Sequence, residues 1–326
     1  MNTIINFLFS AIKFGTPLML GTTGEIVTEK SGSLNLGIEG MMAMGAIIGY
    51  IVAARANDLF LGILCAFLFA AFGALIFAFL TVTLQANQNV TGLALTIFGV
   101  GLYKFIGQSL MVSGKYPAMK TALSNMIAEK PLPLLGDIPY VGKLLFSHSI
   151  FVYLAVLICV MFWIYLKYTK TGLKVRSLGE NPAAADASGV NVNFMKYIHI
   201  IMGGGICGIG GLYLALVVNA GGWNDYWING FGWISIALVI FASWSPMKAI
   251  FGSIIFGMFK ALQIRSGDLA HEFPKVLGWL QSIPADFYQM LPFVVTALVL
   301  IISSMRKKKE GAQPAWCGVN YYREDR

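Results

Sequence analysis

Leu59 to Tyr103 reads LFLGILCAFLFAAFGALIFAFLTVTLQANQNVTGLALTIFGVGLY, 45 residues without one Asp, Glu, Lys or Arg. A helix needs about 20 apolar residues to cross a bilayer, so this stretch holds two crossings. The hairpin between them falls at Gln85-Ala86-Asn87-Gln88-Asn89, where polar amides interrupt the apolar run. A charge-free stretch of that length has no place in a water-soluble domain. The chain as a whole agrees: of 326 residues 57% are hydrophobic and only 12% charged, with a mean hydropathy of +0.72. Ordinary globular domains carry about 25% charged residues, and half that cannot cover a solvated surface. Disorder, collagen and disulfide scaffolds are excluded by the same composition. Cys65, Cys159, Cys207 and Cys317 are scattered, with no close pair, so neither a redox role nor a metal site follows.

Outward from that stretch, apolar segments lie near 4–22, 34–54, 58–83, 90–112, 149–166, 197–218, 230–243, 247–264 and 286–305. The expected fold is all-α and polytopic, with about eight to ten transmembrane helices. The block 230–243 is short for a crossing, and Gly24 to Gly40 mixes polar residues with Gly, so both are candidates for broken or re-entrant segments. Lys13 in the first block argues against a cleavable signal peptide. The net charge of +8 is concentrated between apolar blocks, which points to a membrane surface and not to nucleic acid. Two basic flanks, Lys167 to Lys196 and Arg306 to Lys309, are expected to be cytoplasmic. The four apolar segments between them return the chain to the same side and place 221–229 and 265–285 outside. Counting backward puts 85–89 and 23–33 inside and 113–148 outside.

Three polar constellations stand out. In Ser33-Leu34-Asn35-Leu36-Gly37-Ile38-Glu39-Gly40, Asn35 and Glu39 are spaced to share a helix face. An ionisable group at membrane depth faces a bundle interior or a water-filled path; the alternative is that Glu39 caps or pairs at the interface. Glu25, Glu29 and Lys30 read as interfacial charges. Asn87, Asn89 and Thr91 offer neutral groups suited to a polar, uncharged solute, or else form a plain turn. In Thr171 to Val190, Asn181 can cap a helix, Pro182 suits its first position, Ala183 to Ala185 propagate it and Gly189 ends it. A small Ala-rich helix exposed between basic flanks is a docking knob for another protein. Gly203 to Gly211 satisfies G-x-G-x-x-G, but its flanks are membrane-helix sequence, where small residues serve close packing. No G-x-x-x-x-G-K-[ST], H-E-x-x-H or G-x-S-x-G occurs, so neither P-loop ATP binding nor hydrolytic chemistry has support.

Four blocks together resemble the membrane subunits of bacterial ABC importers of the ribose and branched-chain amino acid permease superfamily. They are Thr16-Pro17-Leu18 with Gly24-Glu25; Gly32 to Met42; Gly179-Glu180-Asn181-Pro182 through Ala187 to Asn191; and Gly232 to Phe241 followed by Trp244-Ser245-Pro246. They span about 250 residues in the family's order, and the nucleoside permeases that work with binding lipoproteins of the basic-membrane-protein type are the nearest in look. The sequence departs from the pattern at Trp233 and Ser235, where an Arg-Gly-Phe-like run is common, and in the aromatic Trp223-Asn224-Asp225-Tyr226-Trp227.

The resemblance implies a permease subunit without its own ATP site, in a bacterial inner membrane. Its partners would be an ABC ATPase, a second homologous permease and an extracytoplasmic binding lipoprotein. Residues 1–305 then form the permease domain, 171–196 the cytoplasmic coupling loop and 306–326 a short cytoplasmic tail. Asn35, Glu39, Asn87, Asn89 and Thr91 are the expected substrate path, and Gly179, Glu180, Asn181, Ala184, Asp186 and Gly189 the expected ATPase contact. No cofactor or catalytic residue is expected. The cargo expected is a nucleoside; simple sugars, branched-chain amino acids or a flavin-like compound are the alternatives within the superfamily. An ion-coupled carrier titrating Glu39 and a scaffolding protein are the rivals outside it.

Overall fold

Backbone amides without water can be satisfied within one segment only by coiling, and the apolar runs do coil. The computed structural model describes every residue except Met1, Leu132, Leu134, Asp137, Asn229, 306–310 and 323–326, and among the described residues there is no strand. The basic run Arg306 to Lys309 therefore lies outside the described residues. The helices are α1 (Asn2–Lys30), α2 (Ile38–Ala56), α3 (Leu59–Ala78), α4 (Gln88–Val112), α5 (Thr121–Ile127), α6 (Val141–Leu145), α7 (Ile150–Tyr168), α8 (Lys170–Glu180), α9 (Pro182–Ala187), α10 (Val192–Tyr213), α11 (Phe231–Phe241), α12 (Pro246–Glu272), α13 (Pro274–Leu277) and α14 (Ala285–Met305). α3 and α10 each run on into a π-helical turn, Phe79–Thr83 and Leu214–Val218.

Among the described residues, α1, α2, α3, α4, α7, α10 and α12 are long and apolar enough to cross a bilayer, while α11 and α14 present shorter apolar stretches. At 1.5 Å per residue α11 is about 16 Å long, roughly half a hydrocarbon core. It is a half-helix, approached from one side by the irregular segment 219–230.

α1 packs on α12, α10, α11 and α7, and α2 packs on α3, α10, α4 and α11. α10 and α11 thus bridge α1 and α2. On the α10 side the bridge is made of glycine: a Cβ on Gly45 would collide with Gly208, one on Gly208 with Ala70 and Ala66, and one on Gly24 with Gly203. The G-x-G-x-x-G run is therefore a packing face within α10. Small residues let backbones approach where no hydrophobic effect drives helices together.

The first apolar block extends well past 22. α1 runs to Lys30 because its polar side chains find partners inside the protein: Thr28 Oγ1 donates to Gly24 O at 3.2 Å and Thr22 Oγ1 to Ser235 O at 3.1 Å. Pro17 cannot donate to the carbonyl of Lys13, and the Tyr213 hydroxyl donates to that carbonyl instead, at 2.9 Å. Lys13 itself pairs with Glu129 at 2.7 Å. The end of α1, the start of α4, α8, α9 and the segment 311–322 gather at one end of the bundle, the loop end: Leu34 N donates to Gln88 Oε1 and Trp316 N to Gly179 O. The connection 113–149 and the segment after α10 lie at the other end, where Tyr50 and Tyr116 hydroxyls donate to Pro117 O and Gly221 O.

Gly208→Leu should wedge α10 away from α2 and α3. Overpacking of this kind costs about 1–3 kcal/mol or more, and thermal unfolding in mild detergent should show a lowered midpoint, whereas Gly101→Leu, with open space around its Cβ position, should leave it in place.

Candidate functional site

Two interruptions of helical backbone are held by buried carboxylates. At the first, residues 31–37, α1 has ended and α2 has not begun. Asn35 N donates to Glu25 Oε1 at 2.9 Å, Gly37 N to Asn35 Oδ1 at 2.8 Å, and Thr96 Oγ1 to Leu36 O at 2.9 Å. Gly92 of α4 leaves room for this turn, since a Cβ there would strike Leu36. The turn climbs along α4, from Gln88 at Leu34 to Leu95 at Gly37, so α2 begins about 10 Å beyond the start of α4. Asn35 and Glu39 consequently do not share a helix face. Asn35 belongs to the turn, where its side chain makes an Asx-type bond to the backbone in preference to helix, and α2 starts at Ile38.

Glu39, in the first turn of α2, holds the second interruption. Its Oε1 accepts from Gly230 N and its Oε2 from Gly232 N, both at 2.7 Å. These amides open α11, so one carboxylate sits at two helix N-termini, where negative charge is favoured. Gly230 has φ +83° and Gly232 lies directly against the Glu39 backbone, both of which require glycine. Glu39 caps as the interfacial alternative has it, yet is only 7% exposed.

The far end of α11 is held in the same way. Trp244, in the turn between α11 and α12, donates its indole N–H to Glu29 Oε2. Glu25 and Glu29 are 1% and 2% exposed, which corrects their expected place at the interface: each has a specific donor, and that makes burial tolerable. α11 is therefore fixed at one end by α1 and at the other by α2.

The segment before α11 is held by rings. Tyr103 donates its hydroxyl to Asn224 O and accepts from Trp227 N at 3.4 Å, and Trp227 Nε1 donates to Gly222 O at 2.7 Å. Tyr103 stands 5.0 Å from Trp223 and 5.6 Å from Trp227 between centroids, and Tyr50 stands 5.4 Å from both Trp227 and Tyr116. Only glycine fits at 107, where Trp223 occupies the space of a Cβ.

Of the expected path residues, Asn35 lies in the first interruption and Glu39 holds the second. Asn87 caps α4, accepting from Val90 N at 3.1 Å, and Thr91 Oγ1 donates to Asn87 O. Asn87 and Asn89 are exposed at the loop end, away from Glu39. Sequence reasoning missed Thr96, Trp244 and Tyr103, and discounted Glu25 and Glu29. The available signal was the i, i+4 spacing of the two glutamates next to a Trp-Ser-Pro turn.

At the loop end, Asn181 Oδ1 accepts from Ala184 N at 3.0 Å, Pro182 opens α9 and Gly189 follows it with φ +80°. Glu180, Asn181, Ala184 and Gly189 are exposed, Asp186 is half-buried and Gly179 is buried against Lys30 O. Beside α9 opens a polar groove of about 490 Å³, lined by Gln85, Asp186, Gly189, Asn191, Asn193 and Tyr321 among others. The segment expected to be a simple tail folds back here. Cys317 reaches Glu29 Oε2 with its Sγ at 3.8 Å, and burial pushes the thiol up, so it stays protonated and donates.

Glu39→Leu orphans two buried amides at about 1–3 kcal/mol each and should lower the unfolding midpoint in detergent; Glu39→Gln keeps one acceptor and should lower it by less.

Residues 7–300 match the family described as branched-chain amino acid transport system / permease component. The nucleoside ABC transporter permease NupC of Lactococcus lactis is 31% identical, over 98% of each chain. The guanosine ABC transporter permease NupQ of Bacillus subtilis is 31% identical over 89% of each. TsgC13 of Haloferax volcanii, an ABC transporter permease provisionally assigned to glucose, is 35% identical over 83% of this chain and 80% of that protein. No solved structure matches the chain. With its helices long enough to cross a bilayer and a family match over almost its whole length, the chain belongs to the branched-chain amino acid transport permease family and is a multi-pass membrane permease of the ABC transporter type.

Proposed function

We propose that the chain is the permease subunit of an ATP-driven nucleoside importer of the cell inner membrane. It works by alternating access with a separate ABC ATPase, a second homologous permease and an extracytoplasmic binding lipoprotein. The observation that carries the choice of cargo is the likeness to NupC over 98% of both chains. A sugar is the second reading, favoured by the 35% identity to TsgC13.

The loop end is cytoplasmic in this proposal, and α9 is the coupling helix that enters the ATPase. What supports this is its capped, Ala-rich, exposed build beside a groove large enough for side chains of a partner. Asn87 and Asn89 open the substrate path at that end. Asn35 and Glu39 shape its wall by holding the interrupted segments in place, and Thr91 adds a hydroxyl from the first turn of α4. An ion-coupled carrier titrating Glu39 is disfavoured because both carboxylate oxygens already accept structural hydrogen bonds.

Purification in mild detergent should bring down an ABC ATPase and a related permease with the chain, identified by mass spectrometry. In that complex Glu180→Arg with Asn181→Ala should leave membrane insertion intact and cut substrate-stimulated ATP hydrolysis about tenfold, within the usual range of a coupling energy. Competition for the binding lipoprotein separates the cargoes: a nucleoside should displace labelled nucleoside and glucose should not.

A further inference from the structure

The segment Gly311–Tyr322 is bonded to more separate elements than its length and polarity suggest. Trp316 N donates to Gly179 O at 2.9 Å, at the end of α8. The Tyr321 hydroxyl donates to Asp186 Oδ2 at 3.0 Å, on α9. Asn320 Nδ2 donates to Gln85 O at 2.6 Å and Ala86 O at 3.2 Å, its Oδ1 accepts from Gln88 Nε2 at 3.0 Å, and Tyr321 O accepts from Gln85 Nε2 at 3.2 Å. Those four bonds reach the turn between α3 and α4. Cys317 reaches Glu29, the carboxylate that also holds Trp244 at the end of α11. Twelve residues therefore touch the exposed helix α9, the α3–α4 turn and the anchor of the half-helix α11.

We propose that Gly311–Tyr322 is a transmission strap that positions α9 relative to the α3–α4 turn and to the Glu29 anchor of α11, with Tyr321 and Asn320 as its positioning residues. This rests on the reading of α9 as the coupling helix. Motion imposed on α9 by the ATPase then has a direct hydrogen-bonded route to α11, through Asp186, Tyr321, the strap, Glu29 and Trp244. The other route, along α10, runs through a glycine-packed face that resists sliding. Coupling needs an element whose equilibrium both sites can bias. α11 meets that need, since it is short and is anchored to its neighbours by the Glu29 and Glu39 bonds at its ends.

The test is the complete importer in proteoliposomes, with nucleoside uptake and ATP hydrolysis measured on the same preparation. Tyr321→Phe removes one hydroxyl and keeps the ring; Asn320→Ala removes the grip on the α3–α4 turn. Each should leave the amount of assembled complex unchanged and lower nucleosides moved per ATP about fivefold, the low end of measured couplings. Asn320→Asp, which keeps the Oδ1 acceptor for Gln88 and loses the donor to Gln85 and Ala86, should fall between. A merely structural strap would lower complex yield or thermal stability and leave the transport-to-hydrolysis ratio alone; that result overturns the proposal, as does an unchanged ratio in both variants. If the unaltered chain assembles with no ATPase, it is the reading of α9 that fails first, a different outcome from coupled transport insensitive to Tyr321 and Asn320.

Discussion

A peptide amide with no water beside it must be hydrogen-bonded within the protein, and an unmade bond there costs several kcal/mol. Continuous helices meet this demand by themselves. At two breaks between this chain's helices, 31–37 and the segment before α11, a buried carboxylate takes amides that a helix would have satisfied: Glu25 for Asn35, and Glu39 for Gly230 and Gly232. The placement of α2, the depth at which it starts and the position of α11 all follow from those bonds. The same logic explains Tyr213, which covers the carbonyl that Pro17 leaves open. It also gives intramembrane acids a structural purpose, so a buried glutamate in this chain is not evidence for a proton carrier.

The helices differ in how they are held. α1, α2 and α10 meet through glycines and small side chains in backbone contact, an arrangement that tolerates little sliding. α11 is held at its ends by Glu29 from α1 and Glu39 from α2, and at its middle by the bond from Thr22 Oγ1 to Ser235 O, where Gly21 of α1 leaves room for it. A permease must keep a rigid frame while one part changes position. The glycine-locked contacts of α1, α2 and α10 supply such a frame.

Much of this was legible in the residues. The nine apolar segments matched α1–α4, α7, α10–α12 and α14 because membrane helices are decided by length and hydropathy, both local properties. The capping of α9 was legible for the same reason: Asn181, Pro182 and Gly189 act on their immediate neighbours. What escaped were long-range partners. Glu25 and Glu29 look interfacial until Asn35 and Trp244 are seen to reach them, and the start of α2 was misplaced by four residues because Asn35 and Gly37 bond each other in a turn. Tyr103 with Trp227 and Tyr321 with Asp186 join residues more than a hundred positions apart, and nothing local marks either pair. The aromatic run Trp223 to Trp227, odd as sequence, is the filling of a cage formed with Tyr50, Tyr103 and Tyr116.

Energy source separates the permease from its rival most directly. Uptake of labelled nucleoside into proteoliposomes holding this chain with its ATPase, companion permease and binding lipoprotein should require ATP, stop when ATP hydrolysis is blocked, and persist when an ionophore collapses the proton and sodium gradients. Uptake by the chain without the ATPase, driven by an imposed ion gradient and abolished by the ionophore, would contradict the ATP-driven mechanism and return Glu39 to the role of a titrating carrier.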